Sequence, residues 1–134
     1  PAALPRPHSH TKPPSATGAQ NPVAGFGSVW SAAHPAGGVL RLDLRTGAHI
    51  TKIPTGMSPG GIGIGPGRVW VMHYRDTKLM VSIDPATNKV VNTFPIPNEG
   101  CCQPAILGSN VWIGMSDPNG PAVAPMNMAT GNIG

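Results

Sequence analysis

The chain has 134 residues, and Gly (18) and Pro (17) make up just over a quarter of it, which excludes helix bundles and coiled coils. Apolar residues are 40% and charged residues 10%, the reverse of a disordered composition, and no apolar run is long enough for a membrane-spanning helix. The net charge of +4 is dispersed from Arg6 to Lys89 without a basic run and aromatics are only 4%, so no nucleic-acid surface is expected.

Residues 1–21, PAALPRPHSHTKPPSATGAQN, carry five Pro and no strand-like alternation, which predicts a flexible leader or linker. His8 and His10 within it read as solvated side chains and not as a metal pair. From Pro22 onward the chain repeats. Trp30, Trp70 and Trp112 recur in the phrases GSVWS, GRVWV and SNVWI, each preceded by a Gly-rich apolar segment. Each is followed by an alternating strand and a turn: VLRLDLRTG, VSIDPATNK and APMNMATGN. The units span residues 22–56, 57–98 and 99–134.

The punctuation of each unit explains its turn. Asp43 and Asp84, and Asn127 in the third unit, stand at the first corner, where a side-chain oxygen accepts from backbone N–H groups two residues on. Gly47, Asn88 and Gly131 follow at the position that needs a positive φ. For the second unit this predicts strands near Gly61–Gly65, Arg68–Tyr74, Lys78–Asp84 and Lys89–Ile96. A period of about 40 residues with four strands per unit defines an all-β fold of β-propeller blades. The small Gly-rich strand then lies innermost, and Trp30, Trp70 and Trp112 fill the space between neighbouring blades.

The phrases GFGSVW, GIGIGPGRVWV and SIDPATNKVVNTFPIP resemble the blade consensus of the bacterial YVTN-type and streptogramin (virginiamycin B) lyase-like β-propeller superfamily, over residues Pro22 to Gly134. The resemblance implies a periplasmic or secreted protein. A lyase of that kind would use a divalent metal with His and Glu, and would place an acidic residue just after the blade Trp. Those positions hold Ser31-Ala32-Ala33, Val71-Met72-His73 and Ile113-Gly114-Met115 here, so no catalytic residue is assigned. The D-x-x-T-G turn from Asp43 to Gly47 is also similar to blades of quinoprotein dehydrogenases, some of which carry a disulfide between adjacent cysteines. Cys101 and Cys102 are adjacent, and three states remain open: a vicinal disulfide, two reduced thiols, or one thiol paired elsewhere.

Propeller connections gather at one rim, here Thr55–Pro59, Pro97–Pro104, His34–Gly38, His73–Thr77 and Asp117–Gly120. They bring His34, His73, Arg75, Asp76, Glu99, Cys101 and Asp117 toward one rim. Imidazole, thiolate and carboxylate suit a borderline metal, yet no CxxC or HExxH spacing is present, and neither a metal nor another cofactor is assigned. The expected function is an extracytoplasmic binding scaffold whose loop rim takes a small-molecule or protein ligand. The alternative is a metal-dependent carbon–oxygen lyase whose catalytic residues lie in further blades. Closed propellers need four to eight blades and just under three are present. The chain is therefore expected to be a segment of a longer propeller, or a protomer whose ring is completed by self-association.

Overall fold

The computed structural model describes residues 19–34, 37–120 and 122–134, with the Asp76 side chain also outside the description. His8 and His10 lie outside the described residues. The described chain forms three antiparallel sheets in succession. The first contains β1 (Ala19–Gly25), β2 (Ser28–Ala33), β3 (Val39–Asp43) and β4 (His49–Ile53). The second contains β5 (Pro59–Gly65), β6 (Arg68–His73), β7 (Leu79–Asp84) and β8 (Lys89–Pro95). The third contains β9 (Gly100–Leu107), β10 (Asn110–Met115) and β11 (Ala122–Asn127), with one further bridge from Met126 to Ile133. Within each sheet the strands pair in chain order as a meander. Among the described residues no helix is long and apolar enough to cross a membrane.

The same turn closes the third strand of every unit. Asp43 Oδ1 accepts from the backbone N–H groups of Arg45 and Thr46, each at 2.9 Å. Asp84 Oδ1 accepts from Ala86 N–H at 2.9 Å, and Asn127 Oδ1 from Ala129 N–H at 2.9 Å and Thr130 N–H at 3.1 Å. The chain then passes through left-handed backbone at Gly47 (φ 73), Asn88 (φ 58) and Gly131 (φ 75), where Gly and Asn are least strained.

The core lies between the sheets, in two slabs. Trp30, Ala32, Val39 and Ile53 of the first sheet pack on Ile62, Val69, Val71, Val81 and Ile83 of the second. Trp70, Met72, Met80 and Ile96 of the second pack on Val111, Ile113, Met115 and Met126 of the third. Trp30 and Trp70 are thus between blades, as the repeat requires. Trp112 differs: among the described residues no further sheet lies against its face of the third sheet, and it is 36% exposed, with Leu107 and Val123 exposed as well.

The first interface also carries a polar clamp. Arg41 lies opposite Trp30 in the β2–β3 ladder, with its guanidinium 4.5 Å from the indole centroid. Its Nη1 donates to Pro85 O and Asn88 Oδ1 of the second unit's turn, each at 2.6 Å, and its Nε donates to Ser28 Oγ at 2.8 Å. In the second sheet Ser82 occupies the matching place opposite Trp70, and Phe94 stacks on that indole at 6.4 Å instead.

Two boundaries differ from the sequence reading. β1 starts at Ala19, so residues 19–21, assigned to the leader, belong to the first sheet. The strand is hard to see locally because a bulge at Asn21 breaks its alternation. The Pro97–Pro104 connection is likewise shorter than expected. β9 starts at Gly100, and Cys101, Cys102 and Pro104 lie in a strand.

Candidate functional site

All three inner strands, β1, β5 and β9, are irregular at their leading ends. Their ladders shift register between Gln20 and Val23, between Pro59 and Gly61, and opposite Trp112 to Gly114. Bulges of this kind take residues out of the ladder and re-aim their polar groups. Here they free Asn21, Gly60 and Cys102 to face one another across the three sheets. Asn21 Nδ2 donates to Gly60 O at 2.8 Å, linking β1 to β5. Cys102 adopts left-handed backbone (φ 68), with its carbonyl against Gly61, where any Cβ would collide with it.

Tyr74, which follows β6, sits over this junction. Its ring covers Gly60 so closely that a Cβ there would overlap it, and its O–H donates to Cys102 O at 3.3 Å. Burial pushes the phenol above its usual pKa of 10, and bonding to Asn21 and to Cys102 partly offsets this. His34, at the end of β2, lies beside it with ring centroids 6.3 Å apart and a 52° tilt. Arg75 is exposed next to Tyr74, in left-handed backbone at the start of a short 3₁₀ turn, Arg75–Thr77.

These side chains border an open cleft of about 540 Å³ at the rim. Gln20 of the first sheet forms one wall. His34, Tyr74 and Arg75 project from the connections after β2 and β6, and Gly100, Cys101 and Cys102 of β9 close the far side. Cys101 and Cys102 are both exposed and are joined to each other as a disulfide. The cleft therefore offers an aromatic pair, a guanidinium and a disulfide within a frame of backbone carbonyls. Among its described lining side chains, Arg75 carries the one fixed charge.

The sequence-selected residues divide. His34, Arg75, Cys101 and Cys102 come together at the cleft. His73 does not: it is fully buried at the end of β6 and lies away from the rim surface. Its Nδ1–H donates to Leu79 O at 3.3 Å, and its Nε2 lies 3.1 Å from the Thr55 hydroxyl, which can donate to the neutral ring or accept from the charged one. Burial lowers its pKa below the usual 6.5, and hydrogen bonding to the backbone of Leu79 and Thr55 partly offsets this. Asp117 holds a turn, its Oδ1 accepting from Asn119 N–H at 2.7 Å. Glu99 is exposed and does not line the cleft, while Asp76 lies in the 3₁₀ turn. Among the described residues no three His, Cys, Asp or Glu side chains gather as a metal site would need.

Sequence reasoning missed Tyr74, Gln20 and Arg41. Tyr74 is the only Tyr in the chain, which is the one signal that could have singled it out. Gln20 and Arg41 carry no local signal, since their roles depend on partners in other parts of the chain.

No protein-family profile matches the chain, and no curated protein matches it. Solved structures do. Hydrazine synthase of Kuenenia stuttgartiensis superposes with a TM-score of 0.71 at 10% identity, over 81% of this chain and 31% of that one. A quinohemoprotein alcohol dehydrogenase of Pseudomonas putida HK5 gives 0.66 at 18% identity, over 84% of this chain and 19% of that one. BamB from Moraxella catarrhalis gives 0.61 at 21% identity, over 80% and 32%. The chain thus spans about a third or less of the length of these structures. At such identities the likeness concerns architecture alone. Sequential meander sheets, slabs of core between them and this set of structural neighbours lead to one conclusion: the described sheets are consecutive blades of a β-propeller.

Proposed function

We propose that the chain is an extracytoplasmic β-propeller binding module of the YVTN-type and streptogramin-lyase-like kind, whose rim cleft holds a small anionic ligand or an anionic group of a partner. The convergence of all three sheets on one cleft bordered by Tyr74, His34 and Arg75 carries this reading. An open rim where several blades meet is a common place for a propeller to present loops to a ligand. Arg75 supplies charge complementarity to a carboxylate or phosphate, and the tilted His34–Tyr74 pair supplies a flat apolar wall. A disulfide on the cleft supports an oxidising compartment, in keeping with the blade phrases. The binding reading is favoured over the lyase reading because His73, the imidazole that follows a blade Trp, is committed to Thr55 and Leu79.

The test uses benzoate and benzamide as a charged and an uncharged probe, followed by amide chemical shifts. Benzoate is expected to move the signals of Gln20, His34, Tyr74 and Arg75, and benzamide to move them less. Arg75→Asn, chosen because Asn tolerates left-handed backbone, is expected to weaken benzoate binding about tenfold. Shifts from neither probe, or shifts confined to residues outside the cleft, would overturn the proposal.

A further inference from the structure

Cys101 and Cys102 are the only cysteines in the chain, and both are exposed on the cleft. They lie where β9 leaves the ladder, and the surroundings hold them there. The left-handed turn of Cys102 is secured by the Tyr74 hydroxyl on its carbonyl and by the side-chain-free backbone of Gly61 behind it. Non-glycine residues adopt this conformation mainly where neighbouring groups over-determine it, and such positions concentrate at functional sites. The result is a disulfide presented to solvent, in a cleft large enough for a small molecule that is also lined by a guanidinium. A disulfide buried for stability alone has no such access.

We infer that this cleft carries out reversible thiol–disulfide exchange with small anionic thiols. A thiolate attacks one Sγ of the pair, a new S–S bond forms to the incoming sulfur, and the Cys101–Cys102 bond breaks. Its electron pair leaves on the other Cys sulfur, which takes a proton from water. A second molecule of the same thiol, again as thiolate, attacks the small-molecule sulfur of the mixed disulfide, and the bond to the protein breaks with its electron pair on the Cys sulfur, which takes a proton from water. The pair of small thiols is thereby joined. It departs as the oxidised small-molecule disulfide and leaves two protein thiols. Two small thiols are oxidised and one protein disulfide is reduced, and the reverse sequence restores the ring. Arg75 selects the substrate class, since a positive group at the cleft raises the local concentration of anionic thiols and favours their thiolate form. This activity goes beyond ligand binding and requires no ligand to be retained.

The experiment treats the folded, oxidised chain with reduced glutathione and with uncharged 2-mercaptoethanol, at equal thiolate concentration and low salt. Intact mass reports mixed disulfides, and phenylarsine oxide captures the freed dithiol. Both thiols are expected to react, and Arg75→Asn to slow the glutathione reaction about 5-fold more than the 2-mercaptoethanol reaction. Arg75→Lys is expected to restore the glutathione rate. Two free thiols in the air-equilibrated protein would overturn the inference. So would a folded chain that resists both thiols while the urea-unfolded chain reacts. Equal slowing of both thiols by Arg75→Asn would overturn the assigned substrate class. Benzoate binding to the same oxidised sample separates this inference from the preceding proposal: retained binding without exchange removes the exchange activity alone, and loss of both removes both.

Discussion

His73 ties the connection between the first two sheets to the start of β7 from a fully buried position, where burial disfavours its charged form. The Thr55 hydroxyl can turn to accept from a protonated ring, so the cost of protonation is that of burying the charge. The folded pKa of His73 lies below the unfolded value of 6.5, so the unfolded chain binds the proton first on acidification. The contribution of His73 is therefore complete above pH 6.5 and is lost as pH falls from there through the folded value. Urea midpoints measured across this range should fall with pH for the wild type. The His73→Gln curve should be flatter, because its side chain does not titrate. This burial was not legible in sequence, because the position looked like the start of a rim loop. The turn residues Asp43, Asp84 and Asn127 were legible because each bonds only its immediate neighbours. Tyr74 was not, because its partners come from bulges in three separate strands.

At the scale of the strand, equal sequence phrases do unequal work. Trp30 and Trp112 occupy the same place in their units, yet one is closed between sheets and the other is 36% exposed. Trp30→Ala should cost about 3–5 kcal/mol, through lost burial and a cavity beside Ile62, Val81 and Ile83. Trp112→Ala should cost at most about half as much, since the indole is already partly exposed and its truncation leaves no closed cavity. Chemical denaturation of the two variants checks the contrast, and equal losses would contradict it. Periodicity in the sequence located these strands because hydrophobic alternation and turn residues are local. The difference between the two Trp positions depends on which sheet comes next, and the same is true of Arg41. Its acceptors Pro85 and Asn88 sit one unit away, so a dispersed basic residue in the sequence becomes a bridge between blades in the fold.

Among the described residues the sheets follow one another in a short stack, so that the apolar packing lies between sequential neighbours. The second sheet alone is packed on both faces among the described residues. In such a stack stability is close to a sum of unit and interface contributions, so the unit with two interfaces opens last. Amide hydrogen exchange should be slowest in β5, β6 and β7 and faster in β3, β4 and β11. Uniform protection through all three sheets would indicate a single cooperative unit instead. The stack itself was legible as a period. The site was legible in part: His34, Arg75 and Cys101 follow from the rim connections of the repeat, whereas the meeting of Tyr74 with Asn21, Gly60 and Cys102 depends on bulges that no repeat pattern encodes. That gathering also gives the protein a built-in optical reporter. Tyr74 is its sole phenol and rests directly on the carbonyl of Cys102, so the ultraviolet signature of phenolate in the folded chain comes from one atom at the mouth of the cleft. Occupancy of the cleft, or opening of the adjacent disulfide, should therefore be readable in an unlabelled sample as a displacement of a single alkaline titration.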